Sequence, residues 1–331
     1  MRTTILRLFF VVAVFQTYSE KHFKFSPLKI FTQAVFFICL LISSQLAVAQ
    51  PEQTTYVKND CCHLKILTWN IQMLPGIVKR CYNREARCNG IIHELENTDY
   101  DIIIFQEVFS QQAYHLLYEG LKNEYPYQSG MPLKNHFLLT SNGVLIISRL
   151  PFKLLDYTFF DNCKGADLFS CKGALLIEAE KNGKQFQLVA THLQADNKAK
   201  DRIIRQQEYI EIYSRLLIPY ASEGVPQFIA GDMNTPSIDT SGYKTMIYTY
   251  QCKDGLLSGA TKYTYDGKNN PLVIKADRTL QHQLDYILVR NNCCPLNFEK
   301  RQIIKFQYQW NTSLRDLSDH YALEGEFELG N

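Results

Sequence analysis

Several motifs are absent from this chain of 331 residues, and each absence removes a class of chemistry. There is no G-x-x-x-x-G-K-[ST], so a P-loop that cradles nucleotide phosphates has no support. There is no G-x-S-x-G, which leaves a serine-hydrolase elbow without its nucleophile. Cysteine and histidine never cluster at ligand spacing, so no structural zinc is expected. No internal repeat, heptad run or low-complexity tract is present, which excludes solenoids and coiled coils. Charge of either sign is scarce in excess: 35 Lys and Arg stand against 33 Asp and Glu, a formal net of +2. Such a chain lacks the broad positive field that draws nucleic acid.

Apolar mass, by contrast, is ample. Hydrophobic residues make up 46% of the chain, with 20 Tyr and 20 Phe. That is enough for a sizeable core in one α/β domain.

Residues 1–49 differ in kind from the rest. Lys24 and Lys29 precede the apolar block AVFFICLLIS at 34–43, and Ala47-Val48-Ala49 follows with the small-x-small pattern of a signal-peptidase site. This describes a secretory signal cleaved after Ala49, with residues 50–331 as the catalytic domain, and the apolar block is short for a membrane span of about 20 residues. An earlier apolar run, Ile5–Phe15, has no assigned role. Loss of 1–49 removes five basic residues and one acid, leaving 30 basic and 32 acidic side chains. Export would permit disulfides. Candidate pairs are Cys81 with Cys88 and Cys163 with Cys171, and the doublets Cys61-Cys62 and Cys293-Cys294 could be bridged to each other.

Runs rich in β-branched and aromatic residues predict strands over 63–69, 101–106, 143–148, 173–179, 186–191, 227–230, 284–290 and 321–327. The pair 173–179 and 186–191, joined through Asn182-Gly183, reads as a hairpin. Ser110 is expected to cap a helix through Lys122. A longer helix is predicted over 198–220, with Ile203, Ile204, Ile210, Tyr213, Leu216 and Leu217 buried and Arg202, Arg205, Glu208 and Glu211 outward. Segments 73–90, 155–172 and 233–282 read as long connections. Strands with interspersed helices suggest an α/β sandwich. Phe306, Tyr308 and Trp310 alternate with polar residues and suggest a strand with one aromatic face, or else an interfacial patch.

The chemistry concentrates at the ends of four predicted strands. LTWNIQ at 67–72, IIFQEVF at 103–109, IAGDMNTP at 229–236 and LSDHYAL at 317–323 each set carboxylate, amide or imidazole groups after an apolar run. Asn70, Glu107, Asp232, Asn234, Asp319 and His320 could therefore meet at one sheet edge, a set suited to metal-assisted hydrolysis of a phosphate ester. A carboxylate such as Glu107 after DIIIFQ is costly if buried alone and suits a hard cation. His320 is a candidate general base and His192 a donor to developing charge on phosphate. Asp285, embedded in QLDYILV, is placed to orient an imidazole. Lys172 could meet phosphate. His63, His93 and His115 read as structural core histidines. Some of the many aromatics could cage a quaternary ammonium group.

With those positions set out, the chain resembles the endonuclease/exonuclease/phosphatase superfamily, the DNase I-like proteins, and within it the secreted bacterial neutral sphingomyelinases. LTWNIQMLPG, DIIIFQEVF, SNGVLIISRLPF, KGADLFSCKGALLIEA, ATHLQA, GDMN, LDYIL and SDHY occur in that family's order. The resemblance implies a four-layer α/β/β/α sandwich and Mg²⁺-dependent hydrolysis of sphingomyelin to ceramide and phosphocholine, with Mn²⁺ or Co²⁺ able to stand in. It implies Glu107 as the main metal ligand with Asn70 and Asp319 nearby. Asp232 and Asn234 would position water and phosphate, His320 would be the base oriented by Asp285, and His192 would stabilise the transition state. Gln111 departs from the pattern of an auxiliary metal site, and the family's lipid-inserting aromatic hairpin is not recognisable. A monomer that meets sphingomyelin peripherally at membranes is expected, with no nucleic-acid partner. A secreted nuclease on the same fold is the main rival, kept open by the cluster Arg80, Arg84 and Arg87. A phosphoinositide phosphatase and an inactive adhesin are the others.

Overall fold

Two mixed β-sheets dominate the architecture, which is described from a computed structural model over residues 62–74, 83–130, 141–162, 172–290, 296 and 298–330. The first sheet runs in the order β10 (Leu257–Ser258), β14 (Phe298–Ile304), β15 (Ala322–Leu329), β1 (Cys62–Met73), β2 (Ile102–Val108), β4 (Leu145–Ser148) and β3 (Tyr127–Gln128). The second runs β5 (Phe152–Phe159), β6 (Gly173–Lys181), β7 (Lys184–His192), β8 (Gln227–Asp232), β13 (Asp285–Arg290) and β9 (Cys252–Lys253). A separate ladder joins β11 (Tyr265–Asp266) to β12 (Gln281–His282). The helices are α1 (Arg84–Leu95), α2 (Gln111–Leu121), α3 (Ala199–Ile212) and α4 (Thr240–Tyr250).

Alternation along each strand sorts apolar side chains to two faces. One face of each sheet meets the other: Leu64, Ile66, Ile104, Leu323 and Phe327 of the first sheet pack with Ile177, Leu188, Phe228, Ala230 and Ile287 of the second. The opposite face of the first sheet packs on α1 and α2 through Trp69, Ile103, Cys88, Ile91 and Leu117. That of the second packs on α3, its continuation and α4 through Val189, Ile229, Tyr209, Leu216 and Met246. The result is the expected α/β/β/α sandwich. Cys61–Asn331 forms one compact unit.

All eight predicted strands are present, and the Asn182-Gly183 turn has the two positive φ values, 50° and 77°, that a tight hairpin of this hand requires. Ser110 caps α2 by accepting from the Ala113 amide. Two longer strands, β5 and β14, the two-residue strands β3, β9, β10, β11 and β12, and two helices, α1 and α4, arise where long connections or no element were expected. Their cores are disguised. The buried face of α1 includes Arg87 and Gly90, and a Cβ at Gly90 would lie 2.6 Å from Leu317.

The helix predicted over 198–220 forms as α3 followed by a π-turn, Tyr213–Leu217, but with a rotated face. Arg205 and Glu208 are buried, while Ile203 and Ile210 are exposed at 56% and 57%. The reason is polar. Arg205 donates to the carbonyls of Gln194 and Asp196, and Glu208 accepts from the Gln194 amide at 2.9 Å. Phe306, Tyr308 and Trp310 form no regular strand and no lipid-facing patch. Phe306 lies against Trp69, and Trp310 is buried, donating to Asp316 O.

His63, His93 and His115 are exposed rather than core residues. Cys62, Cys88 and Cys252 are buried free thiols, so the Cys81–Cys88 bridge does not form, and Cys62 takes no part in a bridge between the doublets. Residues 1–49, Arg80 and the remaining cysteines lie outside the described residues.

Candidate active site

The alternation that builds the inter-sheet core also builds the site. In β7, Phe186, Leu188 and Ala190 enter that core, and His192 follows on the same face. In β8 the series is Phe228, Ala230, Asp232, and in β13 it is Val289, Ile287, Asp285. In β1 it is Leu64, Ile66, then Thr68 and Asn70. Strand register places His192 opposite Asp232 and Asp232 opposite Asp285. Gly231 is required here, because a Cβ would stand 1.9 Å from the Thr191 carbonyl oxygen. Polar strand ends of both sheets thus meet where the apolar layer stops.

Asn70 bridges the sheets. Its Nδ2 donates to Asp232 Oδ2 at 3.0 Å and to Glu107 Oε1 at 3.2 Å, while its Oδ1 accepts from the Gln72 amide. Glu107 has a left-handed backbone, φ 61°, beside a shift in the β1–β2 register between Asn70 and Met73. Such strain in a non-glycine residue clusters at functional sites. Burial and the Asp319 carboxylate push Glu107 up to about 7. Burial likewise raises Asp319, whose Oδ2 accepts from Gln72 Nε2.

The turn that carries Asp319 and His320 is tied to β1. Ser318 Oγ donates to Asn70 O at 2.6 Å, and Trp69 Nε1 to His320 O at 2.9 Å. The His320 Nδ1 lies 2.9 Å from Asp285 Oδ2, and its Nε2 lies 3.8 Å from Asp232 Oδ2. Burial alone would lower the His320 pKa, but the Asp285 and Asp232 carboxylates outweigh it and hold it up at about 10. Burial raises Asp285.

His192 is the electrostatic opposite. Burial, then the charges of Lys172 and His320, hold its pKa well below the ordinary 6.5. Its Nε2 lies 3.5 Å from Asp232 Oδ2, 4.0 Å from Glu107 Oε1 and 2.9 Å from Lys172 Nζ. Asn234, at φ 47°, donates from its backbone to Asp232 Oδ1 and from Nδ2 to Leu193 O. That carbonyl also accepts from Lys172.

All nine residues singled out from sequence therefore fall in one connected cluster. Eight are joined directly, Asn234 and Lys172 also meeting at Leu193 O, and Asp319 is joined through Gln72. Sequence reasoning missed Gln72, Arg87 and Ser318. Gln72 and Ser318 sit inside two of the four polar stretches. Arg87 gave no signal beyond its charge, yet it is buried and donates to Leu317 O, Gln72 O and Ile71 O.

Among the described residues, Asp232, Asp285 and His320 each offer one ligand atom within 4.8 Å of the others and could hold a metal ion. His320 and Asp285 of that group already share a hydrogen bond, whereas Glu107 and Asp319 are carboxylates whose pKa burial raises. Hard oxygen donors of that kind fit a divalent cation such as Mg²⁺.

Residues 67–320 match the Endonuclease/Exonuclease/phosphatase family. The chain is 27% identical over 269 residues to a sphingomyelinase C of Leptospira interrogans, a match that covers 75% of this chain and 48% of that protein. It is 24% identical over 292 residues to a sphingomyelinase C of Listeria ivanovii, covering 80% and 86%. The chain thus spans about half the length of the Leptospira relatives it matches, at 48% and 47%. Its fold superposes on a beta toxin variant from Staphylococcus aureus with bound magnesium ions, at a TM-score of 0.72 and 24% identity, covering 79% of this chain and 98% of that one. The family match runs from Leu67 at the first polar stretch to His320 at the last, and the chain belongs to the endonuclease/exonuclease/phosphatase family.

Proposed function

We propose that this chain is a Mg²⁺-dependent phosphodiesterase of phospholipase C type that hydrolyses sphingomyelin to ceramide and phosphocholine. The observation that carries the reading is the His320–Asp285 pair, 2.9 Å apart, set in one cluster with Asp232, Glu107 and Asp319. The names of the relatives direct it to sphingomyelin.

Glu107 and Asp319 would hold the cation. Asn70, as placed, orients Glu107 through its amide nitrogen and has its oxygen engaged by Gln72. Bound there, a divalent cation would stabilise negative charge on the phosphate oxygens and, by repulsion, bring His320 toward its neutral form. Asp285 holds the imidazole by Nδ1, which leaves Nε2 facing Asp232. Asp232 accepts from an attacking water, and His320 Nε2 takes its proton as oxygen adds to phosphorus. The bond from phosphorus to the ceramide oxygen breaks, its electron pair leaves on that oxygen, which takes a proton from solvent to become the ceramide hydroxyl, and phosphocholine keeps the oxygen of the water. His192 lines the same side and faces the developing charge. Mn²⁺ and Co²⁺ share the oxygen preference and would substitute.

The nuclease reading weakens at Arg87, whose guanidinium is buried against three carbonyls instead of lining a cleft. Export with cleavage after Ala49, a mature domain of 50–331 and a monomeric, peripheral encounter with the bilayer complete the proposal. No helix among the described residues is long and apolar enough to cross a membrane.

The test offers the purified protein sphingomyelin vesicles, phosphatidylcholine vesicles and plasmid DNA, each with Mg²⁺ or with chelator. Phosphocholine released from sphingomyelin with Mg²⁺ alone is expected. DNA nicking without lipid turnover would overturn the substrate assignment.

A further inference from the structure

The segment 233–282 reads in sequence as a connection, yet three residues in it reach the turn and strand that carry the His320–Asp285 pair from outside the catalytic set. Thr264, fully buried, accepts at Oγ1 from the backbone amides of Leu284 at 3.0 Å and Asp285 at 3.2 Å. Its carbonyl accepts from the Tyr321 amide at 2.7 Å. Tyr265 forms an isolated antiparallel bridge with His320, and its ring lies against the imidazole with centroids 5.0 Å apart. Asn270, also fully buried, donates from Nδ2 to Ser318 O at 2.9 Å, two residues before His320.

From these contacts we infer that Thr264, Tyr265 and Asn270 are positioning residues for the imidazole–carboxylate pair, an inference that rests on the proposed hydrolytic role of His320. Asp285 lies on β13 of the second sheet, whereas His320 lies on the turn into β15 of the first. Nothing covalent fixes their separation, and a 2.9 Å hydrogen bond between elements of two sheets needs a part that registers both. The dipeptide Thr264-Tyr265 touches both. Thr264 fixes the backbone of Asp285, and Tyr265 fixes the plane of His320.

The segment is itself held rigid. The Tyr265 hydroxyl donates to Asp277 Oδ2 at 2.9 Å, which pins the ring from its far end. Asp266 accepts from Asn269 and Gln281 side chains, closing the ladder of β11 and β12. Gly267 is packed so closely that a Cβ would fall 2.0 Å from the Asp277 carbonyl oxygen. Displacement of a catalytic group by ~1 Å can cost ~10²-fold in rate. Loosening this segment therefore acts on turnover without removing any catalytic group.

The test reads the pair directly, without substrate. In the metal-free protein the proton between His320 Nδ1 and Asp285 is expected to give a downfield ¹H resonance, assigned by its loss in Asp285→Asn. Thr264→Val and Tyr265→Leu are expected to broaden that resonance and lower kcat on sphingomyelin vesicles about tenfold or more, with KM little changed. Thr264→Ser, which restores the acceptor, is expected to recover both. Should Tyr265→Leu not fold, Tyr265→Phe carries the test: it frees only Asp277, and a broadened resonance with roughly threefold lower kcat is expected. A wild-type resonance with wild-type kcat in both Thr264→Val and Tyr265→Phe would overturn the inference. If the resonance responds as expected in a protein that turns over no sphingomyelin, the positioning role stands and the substrate assignment fails.

Discussion

The ammonium of Lys172 lies 2.9 Å from Nε2 of His192, with both side chains buried beneath the site. A lysine expected from sequence to meet substrate phosphate instead engages an imidazole and the Leu193 carbonyl. Burial, then this cation, hold the His192 pKa well below the ordinary 6.5. Lys172→Met removes the cation. The His192 pKa is then expected to rise, read by NMR titration, and turnover to fall roughly 10²-fold. An unmoved His192 titration would contradict the assignment.

Glu107 gives the metal-free protein a pH signature. Its folded pKa, about 7, stands above the ordinary 4.5. A raised folded pKa means the folded state binds the proton more tightly, so this contribution to stability is full below about 4.5 and is lost as pH rises through about 7. Thermal denaturation in chelator is expected to show falling Tm across that window, a flatter profile in Glu107→Gln, and recovery of wild-type Tm at neutral pH when Mg²⁺ is added. Equal slopes in the two proteins would place the titration elsewhere.

Asp285→Asn retains the shape of the pair but removes the charge that holds His320, and His320→Ala removes the base. Each is expected to lower turnover by roughly 10³–10⁴-fold with the fold intact by circular dichroism. Wild-type rates in a folded His320→Ala protein would remove the general base from the mechanism.

Arg205 and Glu208 organise the loop after His192 from α3. Arg205→Met leaves the carbonyls of Gln194 and Asp196 and the Asn197 side-chain oxygen without their donor, and a loss of about 3 kcal/mol is expected in urea unfolding. A change below about 0.5 kcal/mol would class Arg205 with surface arginines.

How far the sequence was legible follows from what marks each element. The eight predicted strands carry runs rich in β-branched, aromatic and other apolar residues, as burial on both faces of a sheet demands. Site residues at their ends were visible because a polar group after such a run has few inexpensive explanations. The face of α3 was misread because hydrophobicity pointed to Ile203 and Ile210, while long-range hydrogen bonds from Arg205 to 194–196 decided the rotation. Arg87 misled in the same way, since a charge count cannot distinguish a surface cation from one that binds Leu317 O across 230 residues. The positioning segment around Tyr265 has no periodicity, and its role exists only in contacts to residues far along the chain.

Glu107 and Asp319, brought beside the His320–Asp285 pair, are proposed to hold one divalent cation that turnover requires. Calorimetric titration of Mg²⁺ into the metal-stripped protein, run in parallel on Glu107→Gln, tests it most directly. One saturable site in the wild type, abolished by the substitution together with Mg²⁺-dependent phosphocholine release, is the expected result. Equal Mg²⁺ affinity in the two proteins would remove Glu107 from the cation site.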